Sequence, residues 1–139
     1  MKSGTMRRRL LAGIFLGLHT AASIACPPNA DLTSRDLLGL WRAEFEGGRE
    51  SLTVLLEPNP EWPGSFAGRF TQGGRTVQVA GDLEDGTFTL EESADGVRID
   101  ATWAGQPVDG SCGREIRGSW RATGREAPRS FVLRRTSGW

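Results

Sequence analysis

Residues 39–46 read Gly-Leu-Trp-Arg-Ala-Glu-Phe-Glu, so that apolar and charged side chains alternate. In an extended chain Trp41, Ala43 and Phe45 point to one face, and the charged residues between them point to the other. A period of two is typical of a β-strand with one buried face. This stretch therefore predicts a protein built from half-buried strands.

The same alternation recurs up to residue 135, and turns rich in Gly or Pro separate the segments. Further strands are predicted over residues 51–57, 65–71 and 75–83, and around Leu90, Ile116 and Leu133. The predicted sixth strand has Val97, Ile99, Ala101 and Trp103 on its apolar face, and a loop over residues 105–113 follows it. Eight short strands joined by tight turns predict an all-β fold, an eight-stranded antiparallel up-and-down barrel without exposed edges.

Most aromatic residues of the predicted barrel fall on the inward faces of its strands. They are Trp41, Phe45, Phe66, Phe70, Phe88, Trp103, Trp120 and Phe131. Small residues on the same faces, among them Gly68, Gly81 and Gly118, leave room for these rings or let the strands bend. An eight-stranded barrel is either filled by side chains or holds one small ligand. The number of rings favours a filled interior, and a partly open barrel stays as the alternative.

The N-terminus has the pattern of a bacterial export signal. Lys2 and the Arg residues at 7–9 precede an apolar run over residues 10–18, and small residues follow before Cys26. This pattern predicts a signal peptide over residues 1–25, which is cleaved on export. Residues 26–38 then form a lead-in, and residues 39–136 form the barrel domain. We expect a periplasmic or secreted protein.

The chain has two cysteines, Cys26 and Cys112. In an oxidising compartment a disulfide between them is the simplest use of both thiols. A cysteine at the first position after cleavage is also where a bacterial lipid anchor is attached, and a lipid on Cys26 would leave Cys112 as a free thiol. Both alternatives stay open at this point.

The composition argues against catalysis. After residue 25 the chain contains no Lys, His or Tyr, and 13 Arg residues stand against 17 acidic residues. Without His, a Ser or Cys nucleophile lacks its usual base and a metal ion lacks imidazole ligands. We therefore expect neither an enzyme nor a bound metal or other cofactor, and no nucleic-acid partner. A membrane-spanning barrel is not expected, because strands of about seven residues are shorter than the nine to eleven needed.

Two features suggest contact with a partner. Trp62 is flanked by prolines in a loop, which suits a rigid, exposed contact residue, although it could equally cap one end of the barrel. Residues 114–139 contain seven Arg and two Glu. Their Arg residues, including Arg117, Arg121, Arg134 and Arg135, either bind an anionic partner or pair across the sheet, as Arg134 would with Glu44 or Glu46.

The start of the first strand carries a resemblance to a known group. Gly39-Leu40-Trp41 resembles the Gly-x-Trp signature of the calycins, the group of lipocalin and avidin-like barrels. In lipocalins an Arg of the last strand packs across that Trp, and the resemblance implies this role for Arg134 or Arg135. Biotin binding is not implied, since the polar pocket residues of avidins have no counterpart here.

We expect an exported, non-enzymatic binding module. In the leading hypothesis it contacts a protein or an anionic envelope component through its surface loops. An inhibitor-like protein is one form of this hypothesis. The binding residues would be Trp62, Trp41, Arg117, Arg121, Arg134 and Arg135. The alternative is a lipocalin-like carrier that holds a small apolar ligand inside the barrel.

Overall fold

The computed structural model describes residues 25–48, 50–125 and 127–136. The predicted signal peptide falls almost wholly on residues outside these ranges. Within them, no helix has the length and apolar character that crossing a lipid bilayer requires.

Eight strands form one closed sheet. They are β1 (Gly39–Phe45), β2 (Ser51–Pro58), β3 (Phe66–Gln72), β4 (Arg75–Glu84), β5 (Thr87–Ser93), β6 (Ala101–Pro107), β7 (Glu115–Ala122) and β8 (Arg129–Arg135). Each strand pairs antiparallel with the next, and β8 closes on β1 with Phe45 opposite Phe131. The predicted all-β, eight-stranded antiparallel up-and-down barrel is confirmed.

The interior of the barrel is packed with aromatic rings. All eight rings predicted to face inward lie in the hydrophobic core or pack against it. The Trp103 ring centre lies 4.9 Å from that of Phe131 and 5.1 Å from that of Phe45. Phe66 and Phe88 stack at 5.8 Å further along the interior. Burial of each such side chain stabilises the fold by roughly 1.5–3 kcal/mol before chain entropy is considered.

At two inward glycines, Gly81 and Gly118, the backbone of the neighbouring strand leaves no space for a side chain. A Cβ atom at Gly81 would lie 1.9 Å from the carbonyl oxygen of Thr89, and one at Gly118 would lie 2.0 Å from that of Ala104. Glycine is therefore required because the backbones of neighbouring strands approach closely at these positions.

The lead-in closes one end of the barrel, which we call the closed end. It forms two 3₁₀ turns, Asn29–Asp31 and Ser34–Leu37, and buries Leu37 completely. The Ser34 hydroxyl accepts a hydrogen bond of 2.9 Å from the Leu83 N–H of β4. The Asp36 carboxylate accepts from the N–H and hydroxyl of Thr33 at 2.7 and 2.9 Å, and these bonds hold the pKa of Asp36 below its ordinary value.

Cys26 and Cys112 form a disulfide that ties the lead-in to the loop between β6 and β7. The predicted bridge is confirmed. It uses the sulfur atom to which a lipid on Cys26 would be attached, so a bridged molecule cannot carry that anchor. A disulfide of this kind indicates an oxidising compartment.

The prediction for the sixth strand was wrong at both ends. Val97 and Ile99 do not face inward but lie in the loop over residues 94–100, with exposed fractions of 86% and 47%. The Asp95 carboxylate accepts 2.8 Å hydrogen bonds from the N–H groups of Val97 and Arg98, which folds the chain into a turn before β6 begins. At its other end β6 continues to Pro107, where a loop was expected.

Candidate functional site

Trp62 lies in a loop at the closed end that is held by its own hydrogen bonds. Residues 59–65 connect β2 to β3, and the Asn59 side-chain oxygen accepts hydrogen bonds from the N–H groups of Glu61 and Trp62 at 2.9 and 3.2 Å. The Ser65 N–H donates to the Trp62 carbonyl at 3.1 Å. This bonding fixes the loop while the Trp62 side chain stays 67% exposed. The expected exposure of Trp62 is thus observed.

A groove runs along the outside of the barrel beside this loop. Its floor is formed by outward residues of β3, β4 and β5, namely Ala67, Gln78, Ala80 and Glu91. The loop over residues 59–65 comes from the closed end, and the loop over residues 94–100 comes from the opposite end. The two flank a volume of about 530 Å³. We call this feature the outer-wall groove.

Exposed apolar side chains concentrate at the outer-wall groove. In residues 25–48, 50–125 and 127–136, the large hydrophobic side chains that stand exposed are Trp62, Val97 and Ile99, and all three line the groove. Carboxylates of Glu61 and Glu91 also line it, and no Arg does so in the described part of the chain. The groove is therefore both apolar and acidic.

Most of the predicted Arg residues lie elsewhere and have partners. Arg117 pairs with Glu115 at 2.7 Å on β7, and Arg134 of β8 pairs with Glu44 of β1 at 3.1 Å. The pairing of Arg134 with Glu44 was one of the two sequence interpretations. Exposed pairs of this kind contribute at most about 1 kcal/mol each. Arg121 is exposed on β7 and makes no ion pair within the described residues.

Arg135 and Trp41 face the interior at the closed end. The Arg135 guanidinium lies 5.2 Å from the centre of the Trp41 ring, so Arg135, and not Arg134, takes the position expected across this Trp. Trp41 is fully buried and donates a 2.7 Å hydrogen bond to the Leu37 carbonyl. A partner could not reach Trp41 unless the lead-in moved away.

The structure divides the predicted contact residues between two walls. The outer-wall groove lies over β3, β4 and β5, whereas Arg117, Arg121 and Arg134 lie on β7 and β8, across the barrel. Trp62 and these Arg residues therefore do not form one contact surface.

A second feature, at the end opposite the lead-in, was missed by the sequence analysis. Glu92 of β5 points inward and is only 9% exposed. Its Oε1 atom accepts hydrogen bonds from the indole N–H of Trp103 at 2.6 Å and of Trp120 at 2.8 Å. Burial raises the pKa of Glu92, the two indole hydrogen bonds partly oppose this, and the Asp100 carboxylate adds to the increase. The signal was present in the sequence, because alternation with Phe88 and Leu90 puts Glu92 on the inward face.

Glu92 lies at the bottom of a pocket that we call the mouth pocket. Its volume is about 300 Å³, and its apolar lining consists of Phe45, Leu52 and Trp120. Glu50, Gln72, Glu92 and Arg129 form the polar lining. The Arg129 guanidinium lies 5.1 Å from the Phe45 ring centre.

No protein-family model matches the chain, and a search of the curated proteins finds no significant match. In the part of the chain that the structure describes, no three His, Cys, Asp or Glu side chains are grouped so as to hold a metal ion. The closed eight-stranded antiparallel barrel is consistent with a calycin-like fold. The outer-wall groove and the mouth pocket are the two concave surfaces that bear on function.

Proposed function

We propose that this protein is a non-enzymatic binding module whose outer-wall groove binds an extended, positively charged segment of a protein partner. The observation that carries the proposal is the convergence of Trp62, Val97 and Ile99 on one groove, although two different loops supply them. Exposed apolar side chains that cluster around a concave surface are typical of protein contact sites, and Trp is enriched among the residues that dominate binding energy.

The charge of the groove supports the choice of partner. Glu61 and Glu91 line the groove, and Asp82 lines an adjoining depression. Glu57 lines a further depression, where it pairs with Arg69 at 3.4 Å. A segment with Arg or Lys next to apolar side chains complements this surface. The small side chains of Ala67 and Ala80 leave the floor open to an extended backbone.

Arg117, Arg121 and Arg134 on β7 and β8 form what we call the Arg-rich wall, and this surface offers less support for binding an anionic envelope partner. Arg117 and Arg134 are already paired with carboxylates of this chain, so binding an anion there would compete with existing ion pairs. Carriage of an apolar ligand inside the barrel also has less support, because aromatic rings occupy the interior.

We also infer that the barrel belongs to the calycin-like group and acts in the periplasm or outside the cell. Gly39 opens β1 with a φ of +127°, which favours glycine, and Trp41 follows beneath the Arg135 guanidinium, in the manner of the lipocalin signature. The Cys26–Cys112 disulfide and the predicted signal peptide support export.

The experiment is a selection of random twelve-residue peptides on the immobilised mature protein. We expect enriched peptides to combine basic and apolar residues, and the Trp62→Ala variant to bind them at least tenfold more weakly. The Arg121→Ser variant, on the opposite wall, is the matched control and should bind as the wild type does. Enrichment of acidic peptides, or equal binding by Trp62→Ala, would contradict the proposal. So would retention on heparin that depends on Arg121, because it would assign binding to the Arg-rich wall.

A further inference from the structure

The Glu92 carboxylate is only partly satisfied by the protein. Both indole donors bind the same oxygen, Oε1, at 2.6 and 2.8 Å. Within the described ranges, Oε2 receives no hydrogen bond. It is also not one of the fully buried atoms that lack a partner, so it is at least partly accessible. A carboxylate has acceptor sites on both oxygens, and a buried one gains most from a charged donor. Oε2 is therefore the atom that a ligand in the mouth pocket would meet.

Among the residues that the structure describes, Glu92 also has no partner cation for its negative charge. None of the ion pairs formed within residues 25–48, 50–125 and 127–136 includes Glu92. Arg129 lines the same pocket, but its guanidinium lies over the Phe45 ring and donates a hydrogen bond to the Glu46 carbonyl at 3.4 Å. Burying an unpaired carboxylate is costly, and an uncharged amide oxygen could accept the same two indole hydrogen bonds.

The lining of the mouth pocket suits a cationic group attached to an apolar body. The rings of Phe45 and Trp120 meet edge to face with their centres 5.9 Å apart, and Leu52 completes the apolar lining. Aromatic faces attract cations, and more strongly when water is displaced. A volume of about 300 Å³ is at the lower end of the range for small-molecule sites. The indole hydrogen bonds hold the carboxylate in place before any ligand arrives.

We propose that the mouth pocket is a small-molecule site for an organic monocation that bears N–H donors, such as an amidinium, guanidinium or primary ammonium group. The cation would donate hydrogen bonds to Oε2 of Glu92 while its apolar body contacts Phe45, Leu52 and Trp120. Glu92 also borders the outer-wall groove, but its side chain points into the barrel, and this proposal does not depend on the function proposed for the groove.

The test is a calorimetric titration of the mature, disulfide-bonded protein with benzamidine hydrochloride. We expect saturable binding of one molecule per chain, and binding at least tenfold weaker for Glu92→Gln. Glu91→Gln is the matched control, because the neighbouring carboxylate faces outward, and it should bind as the wild type does. Benzyl alcohol and benzoate, which keep the ring without the cation, should bind at least tenfold more weakly than benzamidine. Trp62→Ala should leave the titration unchanged, which separates this site from the groove.

A second measurement uses only the wild-type protein, so its result does not depend on whether a variant folds. In the wild-type protein, saturation with benzamidine should shift the indole N–H resonances of Trp103 and Trp120, since both bond the carboxylate, and should leave that of Trp41 in place. Absence of saturable binding, equal binding by Glu92→Gln, or equal affinity for benzyl alcohol would overturn the proposal. Shifts confined to Trp62 would do the same.

Discussion

The guanidinium of Arg135 lies 5.2 Å from the centre of the Trp41 ring and donates a hydrogen bond to the Asp36 carbonyl. One side chain of the last strand thus contacts both the first strand and the lead-in that closes the barrel. Trp41 adds a 2.7 Å hydrogen bond to the Leu37 carbonyl of the same lead-in. Together these contacts hold the closed end in place.

We predict that Arg135→Ala lowers the free energy of unfolding by about 1–3 kcal/mol, because it removes a cation–π contact and leaves a backbone carbonyl without its donor. Urea denaturation measures the change. Arg134→Ala is the control, since it breaks only exposed ion pairs and should cost less than about 1 kcal/mol. Equal losses for the two variants would contradict the role assigned to Arg135.

The disulfide should be a major source of stability. It joins residues separated by 86 positions, and closing a loop of that size stabilises the folded chain by about 4.5 kcal/mol in the chain-entropy description. In urea denaturation without reductant, the free energy of unfolding of the double variant Cys26→Ser, Cys112→Ser should be lower than that of the wild type by this amount. An unchanged unfolding midpoint in the double variant would be inconsistent with the bridge.

Two substitutions at Glu92 should differ sharply in stability. Glu92→Ala leaves the indole N–H groups of Trp103 and Trp120 without an acceptor, and we expect it to cost about 2–4 kcal/mol. Glu92→Gln keeps a carbonyl oxygen that can accept both bonds, so its free energy of unfolding at neutral pH should equal or exceed that of the wild type. Urea denaturation measures both variants, and equal destabilisation by Glu92→Gln and Glu92→Ala would contradict this prediction.

The raised pKa of Glu92 predicts the sign of a pH effect. The folded state holds the proton more tightly than the unfolded state, whose carboxyl titrates near its ordinary value of 4.5. Stability from this group is thus complete below that value and falls as the pH rises through the raised folded pKa. The stability of Glu92→Gln relative to the wild type should increase over this range and then level off. Urea titrations at several pH values from 4 upward check it, and a constant difference would argue against a raised pKa.

Gly81→Ala tests the close approach of β4 and β5. The added Cβ would lie 1.9 Å from the Thr89 carbonyl oxygen, so the strands must separate, and we expect a loss of at least about 2 kcal/mol. Ala80→Ser, one position earlier on the exposed face, should change stability by less than about 0.5 kcal/mol. Thermal unfolding of both variants measures the contrast. A tolerated Gly81→Ala would mean that the strands separate at little cost.

Local alternation was enough to predict the barrel, because a half-buried strand must place its apolar side chains on one face. The same rule failed at Val97 and Ile99. There the Asp95 carboxylate holds the N–H groups of Val97 and Arg98, and this bonding competes successfully with the sheet ladder. Alternation also put Glu92 on the inward face, but it carried no information on the two indole groups that bind it.

The sequence by itself determined the closed eight-stranded sheet and its aromatic interior, since both follow from a periodic pattern. It offered a Cys26–Cys112 bridge or a lipid on Cys26, and the structure shows the bridge. The tertiary structure alone decided that Trp62, Val97 and Ile99 share one groove, that Arg135 and not Arg134 covers Trp41, and that the Arg-rich wall faces away from Trp62. These relations join side chains that are distant along the chain, and barrel closure, with its particular register, is what brings them together or keeps them apart.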